Sequence, residues 1–440
     1  MATTFGLSEP TRPLTEAEVR TLLTEALDAR SLDGQRVLVI IPDGTRTAPI
    51  PMMFRLFAEI LGPRADLIDY LVALGTHPMM DDDAFSRLLG TEVSEGVAGR
   101  SRVFNHRWDL EETFVTLGTI PAAEVAAASD GRLDLDIPVR LNRLVGEPGA
   151  TGPYDHIIVC GPVFPHEVAG FSGGNKYFVP GIAGAEIINI THWIGALVTS
   201  REIIGVADTP VRRLIERAAS LVPTPSSLVA MVMHGDGLHG CYVGEMAATW
   251  RAATELSAEL DIVWVDRPYQ RVLSMVPEMY DDLWTGAKGM YKLEPAIADG
   301  GEVVIYAPHI TEVSYVHGTW LDEIGYHVRD YFVDQWQRFQ HVPWGVIAHS
   351  THLRGAGTFV DGVERPRIDV TLATGIPRER CELLGLGYLD PATVDPETWA
   401  KREDEGVMLI RRAGEMLYRV KEDTRGISPS DHRRRTDGKG

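Results

Sequence analysis

At 440 residues the chain is too long for one small module, and at about 150 residues per domain its length predicts two or three domains. A composition of 44% hydrophobic and 24% charged residues is that of a folded globular protein with enough apolar material for a sizeable core. Lys+Arg 42 against Asp+Glu 62 gives a net charge of −20. A surface of that sign repels phosphate backbones and anionic lipid, so neither nucleic acid nor membrane is an expected partner, while a local basic pocket for a small anion stays compatible.

Cys160, Cys241 and Cys381 are odd in number and widely spaced, which fits no disulfide framework and no CxxC metal site. They are expected to be buried thiols in a reducing compartment. The first twenty residues lack a cationic and apolar leader pattern, and no stretch approaches the roughly 20 apolar residues of a membrane span. The expected location is the cytoplasm.

Thr15 can cap a helix over residues 15–29, in which Glu16 and Glu18 suit the N-terminal dipole and Val19, Leu22, Leu23 and Leu27 form one apolar face. Residues 35–42 (QRVLVIIP) read as a strand buried on both faces. It runs into the turn DGTRTAPIP, a helix over 52–61, and a second strand over 66–74 that ends in GTHP. Two such units in succession predict an α/β fold with its chemistry on loops at the carboxyl ends of strands. The pattern returns at 155–160 (DHIIVC), which opens into a long loop over 161–184 with six glycines. A loop of that length is usually functional. The following helix starts near 186–190 and leads to Thr191-His192-Trp193. A second domain begins with DIVWVD at 261, followed by a loop over 279–290, a strand over 301–308 and a helix over 331–339. The expected organisation is an N-terminal α/β domain over 1–257 carrying the glycine loop and a C-terminal α/β domain over 258–400. A helix over 401–425 packs back on the N-terminal domain, and 426–440 form a flexible tail.

Asp43, Thr45 and Arg46 directly follow a strand, where a carboxylate can hold hydroxyls and a guanidinium can grip a carboxylate or phosphate in a two-pronged bond; a structured turn with an Asp cap is the alternative. His77 in GTHP and His166 in PHEVAGF also follow strands, and together they read as an acid/base pair. Residues 170–177 (GFSGGNKY) miss the P-loop pattern, because Asn175 precedes the lysine and Tyr177 follows it. His166-Glu167 lacks the second histidine of a zincin, and no GxGxxG fingerprint occurs. His192 reads either as a half-buried structural histidine or as a ligand that needs a non-protein donor set, since no second histidine or cysteine closes a local metal site. Lys288, flanked by Gly286 and Gly289, reads equally as a surface lysine.

Taken together, DGTR at 43–46, GTHP at 75–78, NHRW at 105–108, PHEVAGFSGGNKYFVPGIAG at 165–184, the histidine of THW at 192 and AKGM at 287–290 resemble the nickel-dependent lactate racemase family, in order and across both halves. The resemblance implies two α/β domains with a cofactor cleft between them. The cleft would hold a nickel-pincer nucleotide, a pyridinium-3,5-bisthiocarboxylic acid mononucleotide that clasps nickel. By motif position, Lys176 would hold this group covalently and His192 would be the protein's ligand to nickel, three donors from the nucleotide and one imidazole completing a square-planar set. Asp43, Thr45, Gly173, Gly174 and Trp336 would meet the cofactor, although an indole at 336 could equally be core. Arg46, Lys288, Trp284 and Thr285 would meet the substrate, and His77 and His166 would be the acid/base pair. The implied reaction inverts C2 of a 2-hydroxy acid: one histidine takes the hydroxyl proton as the C2 hydride passes to the cofactor, and the other serves the opposite hand. Trp284 and Thr285 stand where the lactate enzyme has Tyr and Gln, and Asn175 and Tyr177 where Arg and Ser are usual. The implied substrate is therefore lactate or a larger or more polar 2-hydroxy acid, such as an aldonate, malate or an aromatic hydroxy acid. Proteins that synthesise and deliver the cofactor are the implied partners. A storage homologue without turnover, or a redox enzyme on the same cofactor, are the competing readings.

Overall fold

The computed structural model describes residues 4–147, 150 and 152–421. Thr15 caps helix Glu16–Asp28 in a reciprocal capping box with Glu18, and Val19, Leu22, Leu23, Ala26 and Leu27 are its buried face. The apolar run that follows forms strand Arg36–Ile41, and the second run forms strand Leu67–Val72. Both are central in an eight-stranded sheet, in the order Phe5–Ser8, Gly237–Gly244, Ser226–His234, His156–Pro162, Arg36–Ile41, Leu67–Val72, Ser101–Asn105, Val97–Ala98. The five strands from Ser226–His234 to Ser101–Asn105 are parallel to one another, and the outer ones pair antiparallel. Burial on both faces explains why these parallel strands read as unbroken apolar runs.

The chain moves outward from Arg36–Ile41 through Leu67–Val72 to Ser101–Asn105, then returns to lay His156–Pro162 on the other side of Arg36–Ile41. That reversal is a topological switch point, and ligands of open α/β sheets bind beyond the carboxyl ends of the strands there. The two loops that leave this point are DGTR and the long glycine loop.

The chain divides into two compact units. One takes in the described residues up to Phe164, with Phe171–Ile188 and Arg212–Leu260; the other takes in Pro165–Gly170, Asn189–Val211 and the described residues from Asp261 onward. A single cut at 257/258 would fall inside helix Met246–Asp261, and reading along the chain does not reveal the two short segments that belong with the C-terminal part.

The second unit is built on a five-stranded, all-parallel sheet in the order Gly387–Tyr388, Asp369–Thr374, Ile297–Ala307, Tyr269–Met275, Val407–Ile410. It repeats the logic of the first. The chain runs outward from Tyr269–Met275 and comes back at Val407–Ile410 on its other side, so the segment leaving Met275 starts at this unit's switch point. That segment is not the open loop expected over 279–290, because it contains the one-turn helices Leu283–Gly286 and Lys288–Tyr291. The helix expected over 331–339 is broken into Arg329–Asp334 and Trp336–Phe339.

The helix expected over 401–425 is a correction. Its described part holds a 3-10 turn, Glu403–Glu405, and strands Val407–Ile410 and Leu417–Val420; the latter pairs with Ile262–Val265 of the same unit. Gly406 (φ 77°) and Gly414 (φ 99°) take left-handed conformations that interrupt a helix, and each four-residue strand finds a parallel neighbour instead. The expected tail over 426–440 lies outside the described residues. All three cysteines are buried free thiols, and no helix among the described residues is long and apolar enough to cross a membrane.

Candidate functional site

In the first unit the switch point gathers Asp43, Thr45, Arg46 and His77. Asp43 lies two residues beyond strand Arg36–Ile41, and its Oδ1 accepts from the Thr45 backbone N–H (3.1 Å) and hydroxyl (2.6 Å). Its Oδ2 accepts from His77 Nδ1 at 2.5 Å. Burial alone would raise the Asp43 carboxyl, but the charge and hydrogen bond of His77, then Arg46 and Thr45, outweigh it and hold the group below the usual carboxylate range. With Nδ1 committed to a carboxylate, His77 carries its free lone pair on Nε2. Arg46 donates to the Thr45 hydroxyl at 2.7 Å and lies over the Phe164 ring at 5.9 Å.

The glycine loop returns to the same place. Gly75 N–H donates to Gly181 O (2.9 Å) and Gly181 N–H to Lys176 O (3.2 Å), which ties the turn carrying Lys176 to the GTHP loop carrying His77. Gly161 is obligatory beneath it, since a Cβ there would stand 1.6 Å from the Tyr177 hydroxyl. Gly173 (φ 74°) and Gly174 (φ 60°) are explained by protein contacts: a Cβ would meet Val163 at 2.6 Å and Trp250 at 2.8 Å. Trp250 in turn donates to Ser172 O at 2.8 Å, with the Arg212 guanidinium 4.1 Å above its ring.

The second unit holds the other predicted residues. His166 is buried; its Nδ1 lies 3.1 Å from the Val168 N–H and 3.4 Å from Glu167 Oε2. A neutral ring can thus accept from Val168, and a proton on Nδ1 has Glu167 to receive it. His192 lies within helix Ala185–Val198 rather than after it, and the next residue, Trp193, stacks on Trp336 at 5.1 Å. Lys288 is buried at the switch point with Nζ 4.5 Å above the Tyr280 ring, so it is not a surface lysine. Thr285 is committed to local structure: its hydroxyl and N–H both donate to Asp282 Oδ1, at 2.8 and 2.9 Å.

Sequence reasoning missed the histidines around Trp284. His349 stacks on this indole at 4.0 Å, and His317 lies 4.6 Å away on a tilted plane. Burial first, then the charges of His352, His317, His192 and Lys288, keeps His349 neutral well below its usual titration range. His349 and His352 stand three residues apart on helix Trp344–Arg354, which Asn189 anchors by accepting from Gly345 N–H at 2.9 Å. The His-Ser-Thr-His spacing was the available signal. Among the described residues no group of three His, Cys, Asp or Glu could hold a metal ion.

Residues 10–205 match the family model described as the lactate racemase N-terminal domain. The lactate racemase of Thermoanaerobacterium thermosaccharolyticum is 23% identical over 289 residues, 64% of this chain and 62% of that protein. Over residues 10–205 the chain carries a lactate racemase N-terminal domain. The structure of that lactate racemase as apoprotein superposes with a TM-score of 0.69 at 18% identity, covering 93% of this chain and 94% of the other, a likeness of fold. A crystal structure of a protein from Thermotoga maritima superposes with a TM-score of 0.85 at 32% identity, covering 94% of this chain and all of the other. As in lactate racemase, the architecture is mixed α/β with several parallel sheets. The family model covers DGTR, GTHP, NHRW, the glycine loop and His192, whereas Lys288, His317, His349 and His352 lie beyond it.

Proposed function

We propose that this chain inverts C2 of a 2-hydroxy acid, lactate or a larger one, using a nickel-pincer nucleotide attached to Lys176 with His192 as the nickel ligand. The residues fit that group. Among the described residues no group of three His, Cys, Asp or Glu could hold a metal ion, so nickel on His192 would take its remaining donors from an organic group. The Lys176 side chain is half-buried rather than sealed in the core. Gly44 has nothing within 4 Å of the place a Cβ would occupy, which leaves open backbone between Asp43 and Thr45. When bound, the nucleotide would supply a reversible hydride acceptor for C2 of the substrate.

The observation that carries the reading is the Asp43–His77 pair. Asp43 stays ionised through the neutral range, fixes the tautomer and presents Nε2 of His77 to a hydroxyl proton. His166 takes the mirror role: its neutral ring accepts from the Val168 N–H at Nδ1, and Glu167 Oε2, 3.4 Å away, stabilises the ring once it is protonated. Arg46 and Lys288 bind the substrate carboxylate, Arg46 through a planar fork and Lys288 through a point charge. Trp284, stacked on His349, offers a flat aromatic wall, and Thr285 remains a structural part. Chiral chromatography of the matured protein with a panel of 2-hydroxy acids tests the reading. Each single enantiomer should go to a mixture of the two hands without net formation of 2-oxo acid; net oxidation, or binding without inversion, contradicts it.

A further inference from the structure

One motif has no part in the chemistry above: Asn105-His106-Arg107-Trp108. It begins at the last residue of strand Ser101–Asn105, and the register places Asn105 opposite Val72, the end of the strand that leads into the His77 loop. Asn105 grips the far side of that loop with both ends of its amide: Oδ1 accepts from Met80 N–H at 3.0 Å and Nδ2 donates to Met80 O at 2.8 Å. The Trp108 indole N–H donates to the carbonyl of His77 itself at 2.8 Å. Between them His106 is fully buried and points the other way. Asn142 has its Oδ1 occupied by Leu144 N–H, so its Nδ2 donates to His106 Nδ1 at 3.2 Å. The ring's remaining N–H, on Nε2, therefore donates to Ala183 O at 3.3 Å, in the PGIAG end of the glycine loop. Arg107 turns outward into an ion pair with Asp109 at 2.8 Å.

We infer that residues 105–108 are a positioning clip, in which Trp108 fixes the His77 carbonyl and Asn105 fixes the backbone three residues further on, while His106 locks the loop that carries Lys176 to the same strand end. The inference rests on the acid/base role proposed for His77. Three side chains each bond main-chain groups, of two different loops, and a core needs only their apolar surface. A base must be held within a fraction of an ångström of its proton, and a misplacement of about 1 Å can cost on the order of a hundredfold in rate. With its carbonyl held by Trp108 and its Nδ1 by Asp43, His77 is fixed at both main chain and ring.

Trp108→Phe keeps an aromatic ring but removes the indole donor together with the pyrrole ring, and Asn105→Ala releases Met80. In the matured protein both variants should retain the Lys176 adduct and a melting temperature within a few degrees of the parent, while kcat falls about tenfold or more and KM changes little. In 15N-histidine NMR spectra of the full chain, assigned with His77→Gln, the His77 signals should shift. An unchanged His77 spectrum in both variants, or a loss of activity that merely follows a lower melting temperature, overturns the clip. If the parent inverts no 2-hydroxy acid, the proposed function fails while the NMR comparison still decides the positioning role.

Discussion

A histidine becomes a directed base when one of its nitrogens is committed, and His77 owes its direction to a carboxylate two residues beyond a neighbouring strand. Replacing His77 or His166 by Ala should lower the inversion rate by about 10²–10⁴-fold while leaving the mass of the Lys176 adduct unchanged. Loss of the adduct in either variant would reassign that histidine to cofactor binding. Asp43→Asn should act on the same step through tautomer and charge, with a drop in kcat of about 10²-fold or more and little change in secondary structure by circular dichroism. Asp43, Arg46 and His77 were legible because each directly follows an apolar run, where α/β folds keep their chemistry. His106, His349 and His352 were not, since burial and partners come from distant segments: Ala183 and Asn142 for His106, Trp284 and Tyr326 for His349. Lys288 showed the same limit from the other side, being compatible with a surface position until its contact with Tyr280 is seen.

Strands buried on both faces announced themselves as continuous β-branched runs, and the capping box at Thr15 and Glu18 set the start of the first helix. The C-terminal segment deceived because its strands are four residues long, too short for periodicity to separate strand from helix. The glycine loop was recognisable by composition, but the purpose of its glycines was not: Gly161, Gly173 and Gly174 admit Tyr177, Val163 and Trp250. Gly161→Ala should therefore destabilise the chain by about 1–3 kcal/mol through overpacking and displace the turn that bears Lys176. Combined with Tyr177→Ala, the two costs should sum to less than their separate values in a double-mutant cycle, measured by urea unfolding. Strict additivity would show that the two residues do not meet.

At the scale of the molecule, two parallel sheets each place predicted residues at the switch point of their strand order, Asp43 and the glycine loop in one, Lys288 in the other. The βα rhythm made the architecture legible, but strand order, which locates both switch points, depends on pairings that no single segment encodes. Buried histidines give the fold an acid-sensitive range. Burial pushes His106 and His156 from 6.5 down to about 4, so the folded chain keeps them neutral where the unfolded chain protonates them. The unfolded state then binds more protons, and stability falls as pH drops from 6.5 towards 4, by on the order of 1–3 kcal/mol for each histidine. Urea midpoints should decline across that window; a constant midpoint would remove the effect. The most direct test of the proposed chemistry is intact mass with nickel analysis on protein coexpressed with the cofactor-synthesis enzymes, beside a Lys176→Ala variant. The expected result is added mass and bound nickel in the parent, with the adduct absent from the variant. No adduct and no nickel, while a lactate racemase matured in parallel by the same system gains both, would contradict it.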